Sequence, residues 1–158
     1  MTRPLAPLPA LDVPLPARST SYPPPFDRQV AGRHKRKLGD HFGLKNFGVN
    51  LTILEPGAVS ALAHHHSLQD EFIHVLEGNP TLVLGEQEYR LEPGDCCGFP
   101  AGRGVAAQLV NRSERPASIL EIGDRTAGDE VAYPDDDLKA VLSPDGRWRF
   151  THKDGRPY

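Results

Sequence analysis

The sequence predicts an all-β protein, either a sandwich or a barrel, and two observations support this prediction. Between about residues 30 and 125, short apolar and β-branched runs are separated by turn signals such as Pro56-Gly57 and Gly78-Asn79-Pro80. No long stretch shows the 3.6-residue periodicity of an amphipathic helix. Many short strands without long helices are typical of sandwiches and barrels.

Eight strands are predicted over residues 45–55, 58–66, 70–77, 81–84, 87–91, 95–99, 105–111 and 117–123. The basic run from Arg33 to Lys37 precedes them. We interpret it as an edge strand, since charged side chains at a sheet edge prevent unwanted pairing with other chains.

The two ends of the chain differ from this central part. Residues 1–28 contain eight prolines and predict an extended, partly disordered arm, because proline removes a backbone donor and fixes φ. Residues 29–125 form the predicted β-barrel domain. Residues 126–158 predict a second arm with a short helix over 136–142, which an aspartate would cap at its N-terminus. We expect Trp148 and Phe150 of this arm to pack on the barrel or on a dimer partner.

Composition excludes several classes of function. The chain has 158 residues, a net charge of -3 and no apolar stretch near the roughly 18 residues of a membrane helix. We therefore expect no membrane partner, and the scattered basic residues predict no nucleic-acid partner. The N-terminus lacks the pattern of a secretion signal, which favours the cytoplasm. Cys96 and Cys97 are adjacent, so a structural disulfide between them is not expected.

The segment from Gly57 to Gly78 carries the chemistry that the sequence predicts. His64 and His66 are two residues apart and share one face of a strand, whereas His65 projects to the other face. Glu71 begins the next strand, and a hairpin returns it toward the two histidines. Two imidazoles and a carboxylate suit one divalent metal ion, which could be zinc, iron, manganese or nickel.

This segment resembles the first motif of the cupin superfamily, G-x5-H-x-H-x3,4-E-x6-G. The chain matches it at Gly57, His64, His66, Glu71 and Gly78, with one extra residue after Gly57. The resemblance implies a jelly-roll β-barrel, with His64, His66 and Glu71 as metal ligands. Small cupins are commonly dimers, so it also implies a homodimer.

The second cupin motif, G-x5-P-x-G-x2-H-x3-N, is matched only at Gly94, Pro100 and Gly102. The family has a fourth ligand, a histidine, at this point of the motif. This chain has Val105 there if the spacing after Gly102 is regular, or Ala107 if that spacing is two residues longer. The loss leaves an open 2-His-1-carboxylate set, as in non-haem iron oxygenases, or else a weak or vacant site. Three residues could replace the missing ligand if the fold turns one inward: His41, Cys96 and Cys97.

Two main functional hypotheses follow, both with a small-molecule partner. The first is a metal-dependent enzyme of the dioxygenase, sugar-phosphate isomerase or epimerase, or lyase class, in which the metal polarises a substrate oxygen. No acid or base is identifiable, although Glu121 and Asp124 lie in a later strand. The second is a non-catalytic cupin that holds a small ligand in a degraded site. A purely structural metal is less favoured, because structural zinc is usually closed by four protein ligands.

Overall fold

A computed structural model describes residues 6–158, and twelve strands dominate its secondary structure. The strands are β1 (Arg33–Lys37), β2 (Phe47–Leu54), β3 (His65–His66), β4 (Glu71–Glu77), β5 (Thr81–Leu84), β6 (Gln87–Arg90), β7 (Cys96–Phe99), β8 (Ala107–Val110), β9 (Ala117–Asp124), β10 (Glu130–Tyr133), β11 (Leu138–Leu142) and β12 (Trp148–Thr151). One helical turn, α1 (Leu38–His41), follows β1, and 3₁₀ turns span Ala10–Asp12 and Phe26–Val30. Within residues 6–158, no helix has the length and apolarity needed to cross a bilayer.

The strands pair antiparallel in three sheets, as expected for a jelly roll. The five-stranded sheet has the order β1-β2-β9-β4-β7, the four-stranded sheet β12-β11-β10-β3, and the three-stranded sheet β6-β5-β8. The prediction of an all-β fold is confirmed, and β1 lies at a sheet edge as the basic run indicated.

Two hydrophobic clusters fill the interior. One lies between the five-stranded and three-stranded sheets and is formed by Leu54, Ala58, Ile73, Val75, Leu82, Leu91, Leu109 and Ile119. The other joins the N-terminal segment to the C-terminal strands and is formed by Tyr22, Phe26, Val30, Leu62, Val131, Tyr133, Leu138 and Ala140. Each cluster stabilises the fold mainly by removing apolar surface from water.

The described part of the predicted N-terminal arm lies along the barrel. Tyr22, Phe26 and Val30 are buried, and Tyr22 makes edge-to-face contacts with Tyr133 and Phe150. Residues 1–5 of the predicted arm lie outside the described residues, and partial disorder of the arm stays a prediction.

The helix predicted over residues 136–142 is wrong. A turn follows Tyr133, and Leu138–Leu142 forms β11 between β10 and β12. Leu138 and Ala140 are buried while Lys139 is partly exposed, which is the two-residue alternation of a strand. Pairing with neighbouring strands thus outweighs the local aspartate cap signal. Trp148 and Phe150 lie in β12 and pack against the cluster that joins the N-terminal segment to the C-terminal strands.

The predicted strand over residues 58–66 is much shorter than expected. Only His65–His66 forms a strand, and Val59 and His64 make single bridges to β8. The irregular path lets the chain pass from a bridge with β8 at His64 to pairing with β10 at His66. The segment thereby places His64 and His66 between two sheets. The hairpin predicted between this segment and the strand of Glu71 is wrong, because β3 pairs with β10 whereas β4 pairs with β7 and β9.

Gly78 provides a test of the turn after β4. Its φ is +79°, and a Cβ there would lie 2.7 Å from Ala117 Cα and 2.8 Å from the Pro116 carbonyl oxygen. We expect Gly78→Ala to lower the free energy of unfolding by about 2–5 kcal/mol, from left-handed strain plus overpacking against backbone.

The matched control for this prediction is Gly57→Ala. Gly57 has a similar φ of +83°, but no atom lies within 4 Å of the added Cβ. Strain alone predicts about 1–2 kcal/mol. Urea denaturation of both variants measures the difference, and equal losses would contradict the proposed backbone clash.

Candidate metal centre

A cavity of about 700 Å³ opens between the sheets. His64, His66 and Glu71 lie on its wall, and the inward side chains of β1, β2 and β9 form another part of it. Residues of the N-terminal segment, including Arg18 and Tyr22, also line it. The three residues predicted as metal ligands therefore face a space large enough for a small molecule.

The structure brings His64, His66 and Glu71 together. Glu71 Oε2 lies 3.4 Å from Nε2 of His64 and 3.4 Å from Nε2 of His66. One ligand atom from each residue lies within 4.8 Å of the other two. An ion about 2.1 Å from each atom separates neighbouring ligand atoms by about 3.0–3.4 Å, so this donor set fits a divalent metal.

Hydrogen bonds on the far side of each imidazole fix its orientation. His64 Nδ1 lies 2.7 Å from the Leu62 carbonyl oxygen, and His66 Nδ1 lies 2.5 Å from Asp129 Oδ2. A carbonyl oxygen only accepts, so Nδ1 of His64 carries the proton and donates it. Nε2 of each ring then points at Glu71, so it is the ring atom available to a metal.

Asp129 is a buried carboxylate that no motif in the sequence indicated. Its side chain has no exposed surface, and its two oxygens accept hydrogen bonds from different groups. Oδ2 accepts from His66, while Oδ1 accepts from Ser67 Oγ and from the backbone N–H groups of Leu68 and Gln69. Asp129 thereby fixes both the imidazole and the loop that leads to Glu71.

The charges of this cluster shift two pKa values. Burial by itself lowers the pKa of His66, but Glu71 and Asp129 outweigh burial and raise this pKa to about 9. Burial raises the pKa of Glu71, but hydrogen bonds and charge from His64 and His66 bring it well below its usual range. Glu71 therefore stays ionised, and below about pH 9 a metal must displace a proton from His66.

The position of the missing fourth ligand is Ala107. Ala107 bridges to His64 by two backbone hydrogen bonds and lines the cavity. Val105 is 49% exposed and does not line this cavity. Gln108 also lines the cavity, and its Nε2 donates to the Ala61 carbonyl oxygen. A methyl group thus replaces the ligand and leaves that side open.

The three proposed substitutes do not join the ligand cluster, which among the described residues contains only His64, His66 and Glu71. Cys96 is exposed, and Cys97 packs against the core between the sheets. His65 lies on a separate, mainly apolar cavity of about 400 Å³. His74 alternates with the buried Ile73 and Val75, so it lies on the face of β4 opposite Glu71.

A family model described as the cupin domain matches residues 50–123. A sugar phosphate isomerase of the cupin superfamily from Silicibacter pomeroyi is 44% identical, with 88% of each chain covered and a TM-score of 0.83. The chain belongs to the cupin superfamily, which confirms the resemblance in its sequence.

Two further solved structures are similar. A protein from Acidithiobacillus ferrooxidans, named as a candidate sugar phosphate isomerase, is 31% identical over 80% of each chain, with a TM-score of 0.71. A polyketide cyclase from Streptomyces resistomycificus is 20% identical over 76% of this chain and 79% of its own, with a TM-score of 0.62, and so shares the fold alone. None of the curated proteins compared with the chain matches it.

Asp129→Asn tests the support behind His66. An amide NH₂ at the position of Oδ2 would face the N–H donor of His66 Nδ1. If the amide flips, the NH₂ faces the backbone N–H groups of Leu68 and Gln69 instead, so a donor meets a donor in either orientation. We expect a roughly 10- to 100-fold loss of zinc affinity in a chelator competition titration.

The matched control is Asp154→Asn, which changes an exposed aspartate paired with Arg156. It should bind zinc as the wild type does. Equal zinc affinities for the wild type and Asp129→Asn would show that Asp129 does not support the centre.

Proposed function

We propose that this cupin is a metal-dependent enzyme that isomerises a phosphorylated sugar. The observation that carries the proposal is the set of His64, His66 and Glu71 on the wall of a cavity, with Ala107 leaving one side open. The relative from Silicibacter pomeroyi, named as a sugar phosphate isomerase, supports the choice of reaction. Dioxygenase and lyase chemistry, which the sequence left open, receives no comparable support.

Isomerisation of an aldose to a ketose moves a proton between two adjacent carbons and another between their oxygens. A bound divalent metal supplies Lewis acidity that polarises the substrate oxygens. His64, His66 and Glu71 would hold this ion. The open side beside Ala107 admits substrate oxygens, because the methyl group offers no ligand.

The reaction also needs a group that takes and returns a proton, and Glu121 fits this role best. Four acidic residues among the described ones line the cavity: Asp40, Glu71, Glu121 and Asp124. Asp40 is paired with Arg125, Glu71 belongs to the ligand set, and Asp124 accepts backbone N–H groups through both oxygens. Glu121 is the remaining candidate.

The contacts of Glu121 leave one carboxylate oxygen available. Thr52 Oγ1 donates to Oε2 at 2.8 Å, and Lys35 Nζ lies 2.7 Å from the same atom. Within residues 6–158, no hydrogen bond is made to Oε1. Thr52 and Lys35 thus orient the carboxylate, and Oε1 is the atom that would accept the proton.

The expected homodimer is part of the proposal. Phe47 and Phe72 are exposed, and the strand register places them on the face of the five-stranded sheet opposite Glu71. Such aromatic side chains suit a protein interface.

The first test combines metal content with proton exchange. Tag-free wild-type protein should hold near one equivalent of a divalent metal by elemental analysis. It should also incorporate deuterium from D₂O beside the carbonyl carbon of a hexose or pentose phosphate, as measured by NMR. The double variant His64→Ala/His66→Ala should lose both properties while keeping its circular dichroism spectrum.

Metal binding without exchange on any phosphorylated aldose or ketose would contradict an isomerase. Failure to bind metal after reconstitution would instead support the non-catalytic ligand-binding cupin, for which the loss of a ligand at Ala107 is the favourable observation.

A second test addresses the proton-transfer group. Glu121→Gln keeps the size of the side chain but cannot accept a proton, so kcat should fall roughly 10²- to 10⁴-fold with metal content unchanged. Glu88→Gln, at an exposed ion pair with Arg112, is the matched control. Unchanged kcat in Glu121→Gln would exclude Glu121 as the acid–base group.

A further inference from the structure

One wall of the cavity is basic because of the alternation of β1. Arg33, Lys35 and Lys37 lie opposite Leu54, Thr52 and Asn50 of β2 and line the cavity. The intervening His34 and Arg36 point to the outer face. The basic run that the sequence explained only as edge protection therefore directs three cations inward.

These cations differ in whether a carboxylate neutralises them. Lys35 Nζ forms an ion pair with Glu121 at 2.7 Å. Lys37 is exposed, so water solvates its charge. Arg33 is partly buried, and in residues 6–158 no carboxylate lies within 4.0 Å of its guanidinium. Of the three, Arg33 is the partly buried cation without a paired anion.

Neutral carbonyl groups hold the guanidinium of Arg33 in place. Nη1 donates to the Ser60 carbonyl oxygen at 2.7 Å, and Nη2 donates to the Ser19 carbonyl oxygen at 3.2 Å. Nε is buried and has no hydrogen-bond partner among the described residues. Each Nη keeps a second hydrogen, so the guanidinium is fixed in position and retains donors for a two-pronged contact with an anion.

Burial makes this arrangement costly unless a ligand completes it. Burial lowers the pKa of Arg33, and the Glu121 carboxylate only partly opposes that effect. A partly buried charge without a counter-ion loses hydration, which the hydrogen bonds to the Ser60 and Ser19 carbonyl oxygens offset only in part. An anion delivered by the substrate would compensate the charge.

We propose that Arg33, assisted by Lys35, binds the phosphate group of the substrate. The inference rests on the proposed function, since it concerns the same cavity and assigns the group that recognises the anionic end of the sugar. Arg125 is less suited, because it already pairs with Asp40, and Arg18 is exposed.

The fold also sets the orientation of the substrate. Arg33 lies on β1 and Glu71 on β4, and β2 and β9 lie between these strands. Three strand spacings of about 4.8 Å separate the two strands by about 14 Å across the sheet. A ligand that contacts both strands therefore presents its metal-binding oxygens and its phosphate to different strands, and Glu121 lies on β9, between β2 and β4.

Isothermal titration calorimetry tests this assignment with four probes: inorganic phosphate, glucose 6-phosphate, glucose and glucuronate. Wild-type protein, both metal-loaded and metal-stripped, should bind glucose 6-phosphate at least about tenfold more tightly than glucose. Inorganic phosphate should compete with glucose 6-phosphate. Arg33→Gln should reduce the affinity for both phosphate probes roughly 10- to 100-fold.

Arg36→Gln is the matched control, since Arg36 lies on the same strand, faces outward and donates to the Leu11 carbonyl oxygen. Its affinities should equal those of the wild type. If Arg33→Gln does not fold, Lys35→Gln and the wild-type preference for glucose 6-phosphate over glucose decide the question.

Three results would overturn the inference. The first is unchanged phosphate affinity in folded Arg33→Gln. The second is a wild type that neither prefers glucose 6-phosphate to glucose nor binds inorganic phosphate, and the third is glucuronate binding as tightly as glucose 6-phosphate.

Failure of this proposal can be distinguished from failure of the proposed isomerase function. Arg33-dependent phosphate binding without proton exchange would remove the isomerase and keep the subsite. Proton exchange with an unchanged KM in Arg33→Gln would keep the isomerase and remove the subsite.

Discussion

The centre of this protein depends on the hydrogen bond between His66 Nδ1 and Asp129 Oδ2. The two residues are 63 positions apart, so the bond joins the histidine motif to the start of the C-terminal strands. The same carboxylate accepts three further hydrogen bonds from Ser67, Leu68 and Gln69, and Asp129 is fully buried. One buried group thus sets the ring orientation, the proton position and the loop that delivers Glu71.

The rest of the cavity is arranged around a separation of charge. Glu71 and Asp129 concentrate negative charge at the imidazoles, which suits a cation there. Arg33 and Lys35 place positive charge on the far wall, and the Lys35–Glu121 ion pair lies within the same cavity. A cavity with one wall suited to a metal and another to an anion favours a polar, charged substrate over an apolar one.

The ends of the chain complete this cavity. Tyr22 packs on Tyr133, whose ring lies 5.8 Å from that of His64, and Trp148 packs near His66. Burial raises the pKa of both tyrosines, so their hydroxyl groups stay protonated at neutral pH. The N-terminal segment and the C-terminal strands therefore shape the walls of the site, although the sequence presented them as flanking arms.

The sequence by itself predicted most of the strands between residues 45 and 123 and the meeting of His64, His66 and Glu71, because alternation and turn signals are local features. The tertiary structure decided what depends on contacts between distant segments. It made residues 138–142 a strand, since pairing with β10 and β12 outweighed a helix cap, and it chose Ala107 over Val105 by the bridge to His64. The roles of Asp129 and Arg33 also depend on distant segments. The side-chain partners of Asp129 are at least 60 residues away along the chain, and those of Arg33 are at least 14 residues away. No local sequence pattern encodes contacts over such sequence separations.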